Sequence, residues 1–229
     1  MGKTIAVIAA HPDDEVLGCG GVMAKHDKAG DAVHVLILAE GVTSRSERRD
    51  RCRSREGLAE LACVAQKANS ILGVNSLRLH DFPDNRMDSV DLLDVVKVTE
   101  GFLREIQPDV VYTHHGGDLN VDHRVVHEAV VTVCRPMPGR FRATLLFFEV
   151  ASSSEWQVPG SAFPFVPNWF EDISESVTLK MQALRVYSPE MRAWPHARSI
   201  EALQSLAAWR GATVGVEAAE AFVLGRYVG

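Results

Sequence analysis

Residues 4–21, TIAVIAAHPDDEVLGCGG, determine the fold of this chain. The run that ends at Ala10 is short, apolar and rich in β-branched residues, which predicts a buried strand rather than a helix. Apolar residues resume at helical spacing from Val16 onward. Between them, Pro12 restricts the preceding residue to an extended backbone, and the acidic residues suit the first turn of a helix. The stretch therefore predicts a strand that passes directly into a helix.

One imidazole and three carboxylates lie at the corner between this strand and helix, in residues 11–15 (HPDDE). Ligands of open α/β sheets bind at the carboxyl ends of the strands, so we expect a functional site at this corner. A helix capped by Asp13 beside an incidental histidine is the simpler alternative. One cap needs only one carboxylate, however, and three carboxylates beside a histidine favour a metal site.

The remainder of the chain alternates between strands and helices. We predict strands at 32–39, 76–82, 109–113, 145–150, 169–173 and 221–228, and helices at about 58–72, 91–106, 122–134, 176–187 and 199–209. Such alternation implies a parallel sheet wound on both faces. The predicted fold is a single-domain, Rossmann-like α/β protein (residues 1–229) with a mostly parallel sheet and helices on both faces. The long irregular segment at about 151–170 is interpreted as a lid or as a contact in a homo-oligomer.

The composition excludes several classes of protein. The chain has 229 residues, 46% of them hydrophobic, and a net charge of −6. This length fits one α/β domain, and no apolar run approaches the length of a membrane span. The negative charge predicts no nucleic-acid partner. Four cysteines without a C-x-x-C pair, and an N-terminus without a cleavable signal, predict reduced thiols and a cytoplasmic location.

A second polar corner follows the predicted strand at 109–113 and spans residues 114–127, HHGGDLNVDHRVVH. If the first and fourth strands are neighbours, the two corners face each other at the switch point of the sheet. His11, Asp14 and one histidine of this corner would then provide three ligands, which leaves a position for water as in catalytic zinc sites. Spacing leaves the third ligand open, and the candidates are His114, His115, His123 and His127.

These motifs resemble those of the LmbE/PIG-L family of zinc-dependent N-deacetylases, which act largely on N-acetylglucosamine-type groups. The similarity rests on A-H-P-D-D-E at 10–15, after a buried strand, and on D-H-R at 122–124. It covers roughly the first 150 residues, and the sequence AEAF at 219–222 is also similar. The family usually has H-x-D-H at the second corner, where this chain has NVDH at 120–123.

The resemblance implies a role for each matching residue of the first corner. It makes His11, Asp14 and His123 the ligands of Zn²⁺, and it makes Asp13 the general base. Amide hydrolysis needs a nucleophile at neutral pH, and zinc lowers the pKa of bound water to roughly 7. Asp13, next to a ligand but not needed for coordination, can take the proton and return it to the departing amine.

At the second corner the resemblance implies three further roles. Asn120 occupies the place of a family histidine that helps to stabilise the oxyanion, and an asparagine can donate a hydrogen bond there without carrying charge. Asp122 would orient a neighbouring imidazole. His127 is then left to helix packing.

Candidate substrate-binding residues follow the second and third strands. Family members often place an arginine and a glutamate near the sugar; Arg53 and Glu56 fit that spacing best, and Arg55 is the alternative arginine. Asp84 could accept hydrogen bonds from sugar hydroxyls, or form an Asx turn. The six arginines within residues 45–55 form a solvated helix face, or bind a phosphate as arginine forks do.

The resulting hypothesis is a zinc-dependent hydrolase that removes acetate from a small N-acetylated amino sugar, such as a sugar phosphate or a nucleotide-linked sugar. One alternative is hydrolysis of another sugar-linked amide, and another is a metal-containing sugar-binding protein that has lost catalysis. A nucleotide-cofactor enzyme is disfavoured because the first turn lacks G-x-G-x-x-G.

Overall fold

The computed structural model describes residues 2–138 and 141–227 and contains one seven-stranded sheet. The elements in chain order are β1 (Thr4–Ala9), α1 (Asp14–Lys28), β2 (Ala32–Ala39), α2 (Arg55–Ile71), β3 (Ser76–Phe82), α3 (Leu92–Ile106), β4 (Val110–His114), α4 (Val121–Val133), β5 (Thr144–Phe148), β6 (Trp169–Asp172), α5 (Val177–Val186), α6 (Ile200–Ala212) and β7 (Ala219–Arg226). Two short 3₁₀ turns, Thr43–Arg45 and Met87–Ser89, precede α2 and α3 respectively.

The strands lie in the order β3-β2-β1-β4-β5-β7-β6. The first five strands in the chain pair in parallel, whereas β7 pairs antiparallel with both β5 and β6. The predicted single-domain, Rossmann-like α/β fold is therefore confirmed. The last strand begins two residues earlier than predicted, at Ala219, and the predicted end at Val228 lies outside the described residues.

The central strands of the sheet are buried on both faces, which explains why β1 is apolar from Ile5 to Ala9. Ile5, Val7 and Ala9 pack in one core with residues of α1, α2, α5 and α6. Ala6 and Ile8 point to the opposite face and pack with residues of α3 and α4.

A buried ion pair closes a break in α1. The backbone leaves helical geometry at Cys19, so nearby peptide groups lack their usual helical partners. The Glu220 carboxylate accepts hydrogen bonds from the N–H groups of Gly21 (2.9 Å) and Val22 (2.7 Å). Lys180 donates to Glu220 at 2.6 Å and also reaches a backbone carbonyl of the first half of α1. The sequence AEAF at the start of β7 thus braces the helix that begins at the first polar corner.

The β1 and β4 strands are direct neighbours, with Ile5 opposite Val110 and Ile8 opposite Thr113. Both strands end at a polar corner, and the order of strands reverses between them. The two corners therefore meet at the switch point where α/β proteins bind ligands.

No helix in the part of the chain that the structure describes is both long and apolar enough to cross a membrane. The four cysteines are free: Cys19 and Cys134 are buried, whereas Cys52 and Cys63 are exposed. None of them lies in the cluster of side chains described next.

Candidate active site

The first corner places two polar side chains against each other. His11 follows β1, and Asp14 is the first residue of α1. The Asp14 Oδ2 atom accepts a hydrogen bond from the His11 backbone N–H at 2.9 Å and lies 3.1 Å from its Nδ1. The first turn of α1 thus fixes the position of the His11 imidazole, just after the end of β1.

The second corner brings His123 to the same carboxylate. His123 lies in the first turn of α4, and its Nε2 is 3.1 Å from Asp14 Oδ2. One ligand atom from each of His11, Asp14 and His123 lies within 4.8 Å of the others, a spacing that could hold a metal ion. Two imidazoles and a carboxylate are a donor set that suits a catalytic zinc site.

Several polar atoms of this cluster are buried without a hydrogen-bond partner. They are Asp14 Oδ1 and both ring nitrogens of His123, although those nitrogens face carboxylate oxygens at 3.1 Å. Buried polar groups in proteins are nearly always satisfied, so orphaned atoms on two facing residues need an explanation. A metal ion held by these residues would satisfy the atoms that face it, whereas His123 Nδ1 faces Asp118 Oδ1.

A second group of possible ligands, His11 with Asp84 and Asp122, has a different character. The two oxygens of Asp122 accept from the backbone N–H groups of Asn85 (2.6 Å) and Met87 (2.9 Å). Asp122 Oδ2 also lies 2.9 Å from His11 Nε2. Since its oxygens are already satisfied, this carboxylate orients the imidazole of His11 and leaves Nδ1 to face Asp14.

The other histidines of the second corner have hydrogen-bond partners outside the cluster, although the His114 ring stacks on that of His123 and its Nε2 lies 3.6 Å from Asp14 Oδ2. His114 Nε2 accepts from the Ala10 backbone N–H at 2.8 Å. His115 Nε2 lies 2.9 Å from the Phe163 carbonyl, and His127 Nδ1 lies 2.9 Å from the His114 carbonyl. His123 is therefore the histidine of this corner that approaches both His11 and Asp14.

The charges of the cluster favour a cation. Burial lowers the pKa of His123, but the charges of Asp14 and Asp118 outweigh it and raise that pKa to about 9. Burial would raise the pKa of Asp14, yet the two imidazoles hold it well below its usual value. A site whose carboxylates stabilise protonated imidazoles in this way would equally stabilise a divalent cation between neutral ones.

Asp13 lies beside this cluster in a strained conformation. Its φ of 118° and ψ of −31° are rare for a residue with a side chain. The Glu15 carboxylate accepts the Asp13 backbone N–H at 3.0 Å, and is itself held by Tyr187 (2.7 Å) and Asn69 (2.9 Å). The buried Glu15 therefore stabilises the unusual turn that directs Asp13.

The Asp13 carboxylate is almost completely buried, with 2% of the residue exposed. Burial raises its pKa well above the ordinary value, and the nearby Arg198 opposes that rise. The Arg198 Nη1 donates to Asp13 Oδ2 at 2.8 Å. Nothing in the local sequence around either corner indicates this arginine.

A polar cavity of about 180 Å³ opens beside the cluster. It is lined by His11, Pro12, Asp13, Gly41, Ser44, Arg45, Leu61, Asp84, Asn85, Asn120, Glu190, Arg192 and Arg198. Asp84 Oδ2 accepts from the Ser44 backbone N–H at 3.0 Å, and Oδ1 accepts from Asn85 Nδ2 at 2.9 Å. Asp84 is thus at the cavity, as the sequence predicts, while its oxygens also brace the local turn.

Asn120 caps α4 at the wall of the cavity. Its Oδ1 accepts the Asp122 backbone N–H at 2.8 Å, and its Nδ2 donates to Asn85 Oδ1 at 2.8 Å. The Asn120 Nδ2 carries a second N–H, so it could donate to an oxyanion while keeping its bond to Asn85.

The sequence-based placement of Arg53 and Glu56 at the substrate is not supported by their positions. Both residues are exposed and neither lines the cavity: Arg53 precedes α2, and Glu56 lies in its first turn. Their contact with a substrate stays a prediction. The 3₁₀ turn places Arg45 at the cavity instead.

Some arginines of the cluster at 45–55 form ion pairs within the protein. Arg49 and Arg51 both form ion pairs with Glu40, which follows β2. These two guanidinium groups therefore support the end of the strand and are not free to bind a phosphate.

The serine-rich turn after β5 supports the second corner. Ser153 and Ser154 donate their hydroxyls to Asp118, whose Oδ1 lies 3.1 Å from His123 Nδ1. Carboxylates that contact the far nitrogen of a ligand imidazole fix its orientation. The first residues of the irregular segment at 151–170 thus help to orient His123, a role that their sequence did not indicate.

Comparison with known proteins identifies the family. The profile of PIG-L, described as GlcNAc-PI de-N-acetylase, matches residues 6–134, which include both polar corners. The chain belongs to the PIG-L family. This stretch covers His11, Asp13, Asp14 and His123, whereas Arg198 lies outside it.

Curated relatives within the family are named as deacetylases. The uncharacterized deacetylase YaiS of Escherichia coli K12 is 28% identical over 189 residues, which cover 80% of this chain and 89% of YaiS. A Bacillus anthracis protein, "Probable N-acetyl-alpha-D-glucosaminyl L-malate deacetylase 2", is 22% identical over 82% of this chain and 81% of its own length.

A solved structure with the same fold is GalB of Pseudomonas putida KT2440, the 4-carboxy-2-hydroxymuconate hydratase. It superposes with a TM-score of 0.78 at 22% sequence identity, over 99% of this chain and 98% of GalB. Since this PIG-L-like fold carries a hydratase as well as deacetylases, the reaction must be argued from the residues of the site.

Proposed function

We propose that this PIG-L family protein is a zinc-dependent deacetylase that hydrolyses the N-acetyl group of an amino sugar. The observation that carries the proposal is the cluster of His11, Asp14 and His123, in which buried nitrogen and oxygen atoms lack partners. Asp13 lies next to this cluster and is not part of it. A metal-dependent hydrolase needs ligands that hold the metal and a separate residue that transfers the proton. The cluster would provide the ligands, and Asp13 would transfer the proton.

Three residues would hold the metal: His11 through Nδ1, Asp14 and His123. When bound, zinc supplies a Lewis acid that polarises the amide carbonyl and lowers the pKa of water. Asp122 and Asp118 keep the two imidazoles oriented through their other nitrogens.

Proton transfer is assigned to Asp13. It accepts a proton from the attacking water as the oxygen bonds to the amide carbon. It then donates that proton to the nitrogen as the C–N bond breaks, so that acetate and a free amine leave. Its buried position beside the cluster supports this role, because burial favours a carboxyl group that can hold a proton for part of the cycle.

The chemistry of the cavity supports a sugar as substrate. Apart from Pro12, Gly41 and Leu61, its lining consists of polar or charged side chains that can contact hydroxyl groups. Arg192 at the cavity could receive an anionic substituent such as a phosphate or a carboxylate, and Arg45 could do so by exchanging its ion pair with Glu190. We further propose a cytoplasmic location, for which the four free cysteines are the support.

Acetate release tests the proposal directly. Purified protein loaded with Zn²⁺ should release acetate from at least one compound in a panel of free, phosphorylated and nucleotide-linked N-acetylamino sugars. Chelation should abolish the release, and added zinc should restore it. Binding of a sugar without acetate release would favour the non-catalytic alternative, and release of a different acid would favour another sugar-linked amide.

Asn120 has two proposed roles, as a donor to the oxyanion and as the cap of α4, and an alanine variant would remove both. Asn120→Ala should lower turnover more than it weakens substrate binding, because an oxyanion donor is worth about 3 kcal/mol in the transition state. It should also destabilise the protein by about 1 kcal/mol through loss of the helix cap. Asn120→Asp keeps a capping oxygen but removes the donor, so it should lower turnover while largely preserving thermal stability.

Steady-state kinetics and thermal unfolding of both variants check this expectation. Asn120→His should add a new ionisation to the pH–rate profile, since histidine titrates near neutral pH and asparagine does not. An Asn120→Ala enzyme with unchanged turnover would place the oxyanion donor elsewhere.

A further inference from the structure

Arg198 joins the candidate active site from a distant part of the chain. It lies between α5 and α6, immediately before the N-cap of α6, and is 185 positions away from Asp13 in the sequence. Its Nη1 donates to Asp13 Oδ2 at 2.8 Å, in a partly buried environment. The PIG-L profile ends before this residue, at 134, so the contact is not part of the family match.

The guanidinium group is held in place independently of Asp13. Its Nε donates to Ser152 Oγ at 2.7 Å and lies 3.3 Å from the Ala151 carbonyl. The Arg198 backbone is fixed as well, because its N–H donates to His196 Nδ1 at 3.0 Å. Arg198 is therefore preorganised by the turn after β5 before it meets the carboxylate.

The two carboxylate oxygens of Asp13 differ in their hydrogen bonding. Oδ2 is occupied by Arg198, whereas Oδ1 accepts no hydrogen bond from any residue that the structure describes. The backbone of Asp13 has a φ of 118°, so the carboxylate leaves the chain at an unusual angle. A short side chain in such a conformation has free rotation about its last bond unless a neighbour restrains it.

We propose that Arg198 is the positioning residue for Asp13, holding Oδ2 so that Oδ1 faces the water that attacks the substrate. This inference rests on the proposed deacetylase function. An arginine suits the task because Nη1 and Nε bind Asp13 and Ser152 at the same time. A lysine has one nitrogen on a flexible stem, so it would keep the charge without the fixed geometry.

Arg198→Ala should therefore lower kcat by about 100-fold, the cost of a small misplacement of a catalytic group. KM should change by less than about threefold, and the zinc content should equal that of wild type. Arg198→Lys should recover only a small part of the lost kcat. Free guanidinium ion added to Arg198→Ala should raise kcat, whereas a merely structural arginine would not be replaced in this way.

Arg185→Ala is the matched control, because Arg185 is an exposed arginine of α5 that does not line the cavity. It should have wild-type kcat and should not respond to guanidinium. Thermal unfolding and metal analysis of all variants separate a loss of folding from a loss of alignment.

The decisive measurement is a double-mutant cycle with Asp13→Asn. If Arg198 acts through Asp13, Arg198→Ala should cost little further activity once the base is absent. An equal loss in both backgrounds would overturn the inference, as would a raised KM with unchanged kcat, which would make Arg198 a substrate-binding residue. A wild-type protein that releases no acetate from any substrate would overturn the proposed function and this inference together.

Discussion

His11→Ala, Asp14→Ala and His123→Ala should each lose most of the bound zinc and, with it, the release of acetate. Each variant removes one of three protein ligands, and the two that remain cannot complete a catalytic site. The expectation is strongest for Asp14 and His123, since both are buried and Asp14 Oδ1 has no hydrogen-bond partner among the described residues. Metal analysis of the purified proteins, with thermal unfolding as a test of folding, measures the result.

His127→Ala is the control for these variants. His127 lies one turn after His123 on α4, but its Nδ1 contacts the His114 carbonyl and its ring packs against Phe147. Its loss should lower stability without changing the zinc content. Full zinc in His123→Ala, or loss of zinc in His127→Ala, would show that the third ligand has been assigned to the wrong histidine.

The fold could be predicted largely because β1 carries an unambiguous pattern. A run of buried aliphatic residues that ends at Ala10, just before His11 and Pro12, leaves few alternatives to a central strand followed by a helix. The antiparallel pairing of β7 between β5 and β6 was not predicted, because periodicity identifies a strand but not its partner. The break in α1 at Cys19 was missed for a related reason: it depends on Glu220, about two hundred residues away.

From the residues alone, the candidate site could be predicted only where they are adjacent in sequence, and the family resemblance was needed to select His123 among four histidines. His11, Asp13 and Asp14 share one corner, and their types and spacing are informative by themselves. Arg198 and Ser153 reach the site through tertiary contacts, and single arginines and serines are too common for their sequence context to indicate a role.

Arg53 and Glu56, predicted at the substrate from motif spacing, do not line the cavity, because that spacing was transferred onto a loop. Their contact with a substrate stays a prediction. The irregular segment before α2 is long enough to bring different arginines to the cavity, and the structure brings Arg45. Spacing transfers well along a strand or a helix, where the rise per residue is fixed. It transfers poorly across a loop, where small differences in length change the direction of every side chain.

The second large effect is expected for Asp13→Asn, which should keep its zinc yet lose about two to four orders of magnitude in turnover, the usual contribution of a positioned general base. Asparagine has nearly the same shape as aspartate and can still accept the hydrogen bond from Arg198 through its carbonyl oxygen. It cannot take a proton from water at neutral pH. The substitution therefore removes the proposed chemistry and leaves the geometry in place.

Asparagine is also the substitution least disturbing to the backbone at this position. The φ of 118° at Asp13 lies in the range that most side chains avoid, and asparagine tolerates positive φ better than alanine does. Thermal stability should accordingly stay close to that of wild type, so that any loss of turnover reports on catalysis. Turnover, zinc content and thermal unfolding measured on one preparation distinguish the outcomes: loss of metal would make Asp13 a ligand, and retained turnover would assign the proton transfer to another group.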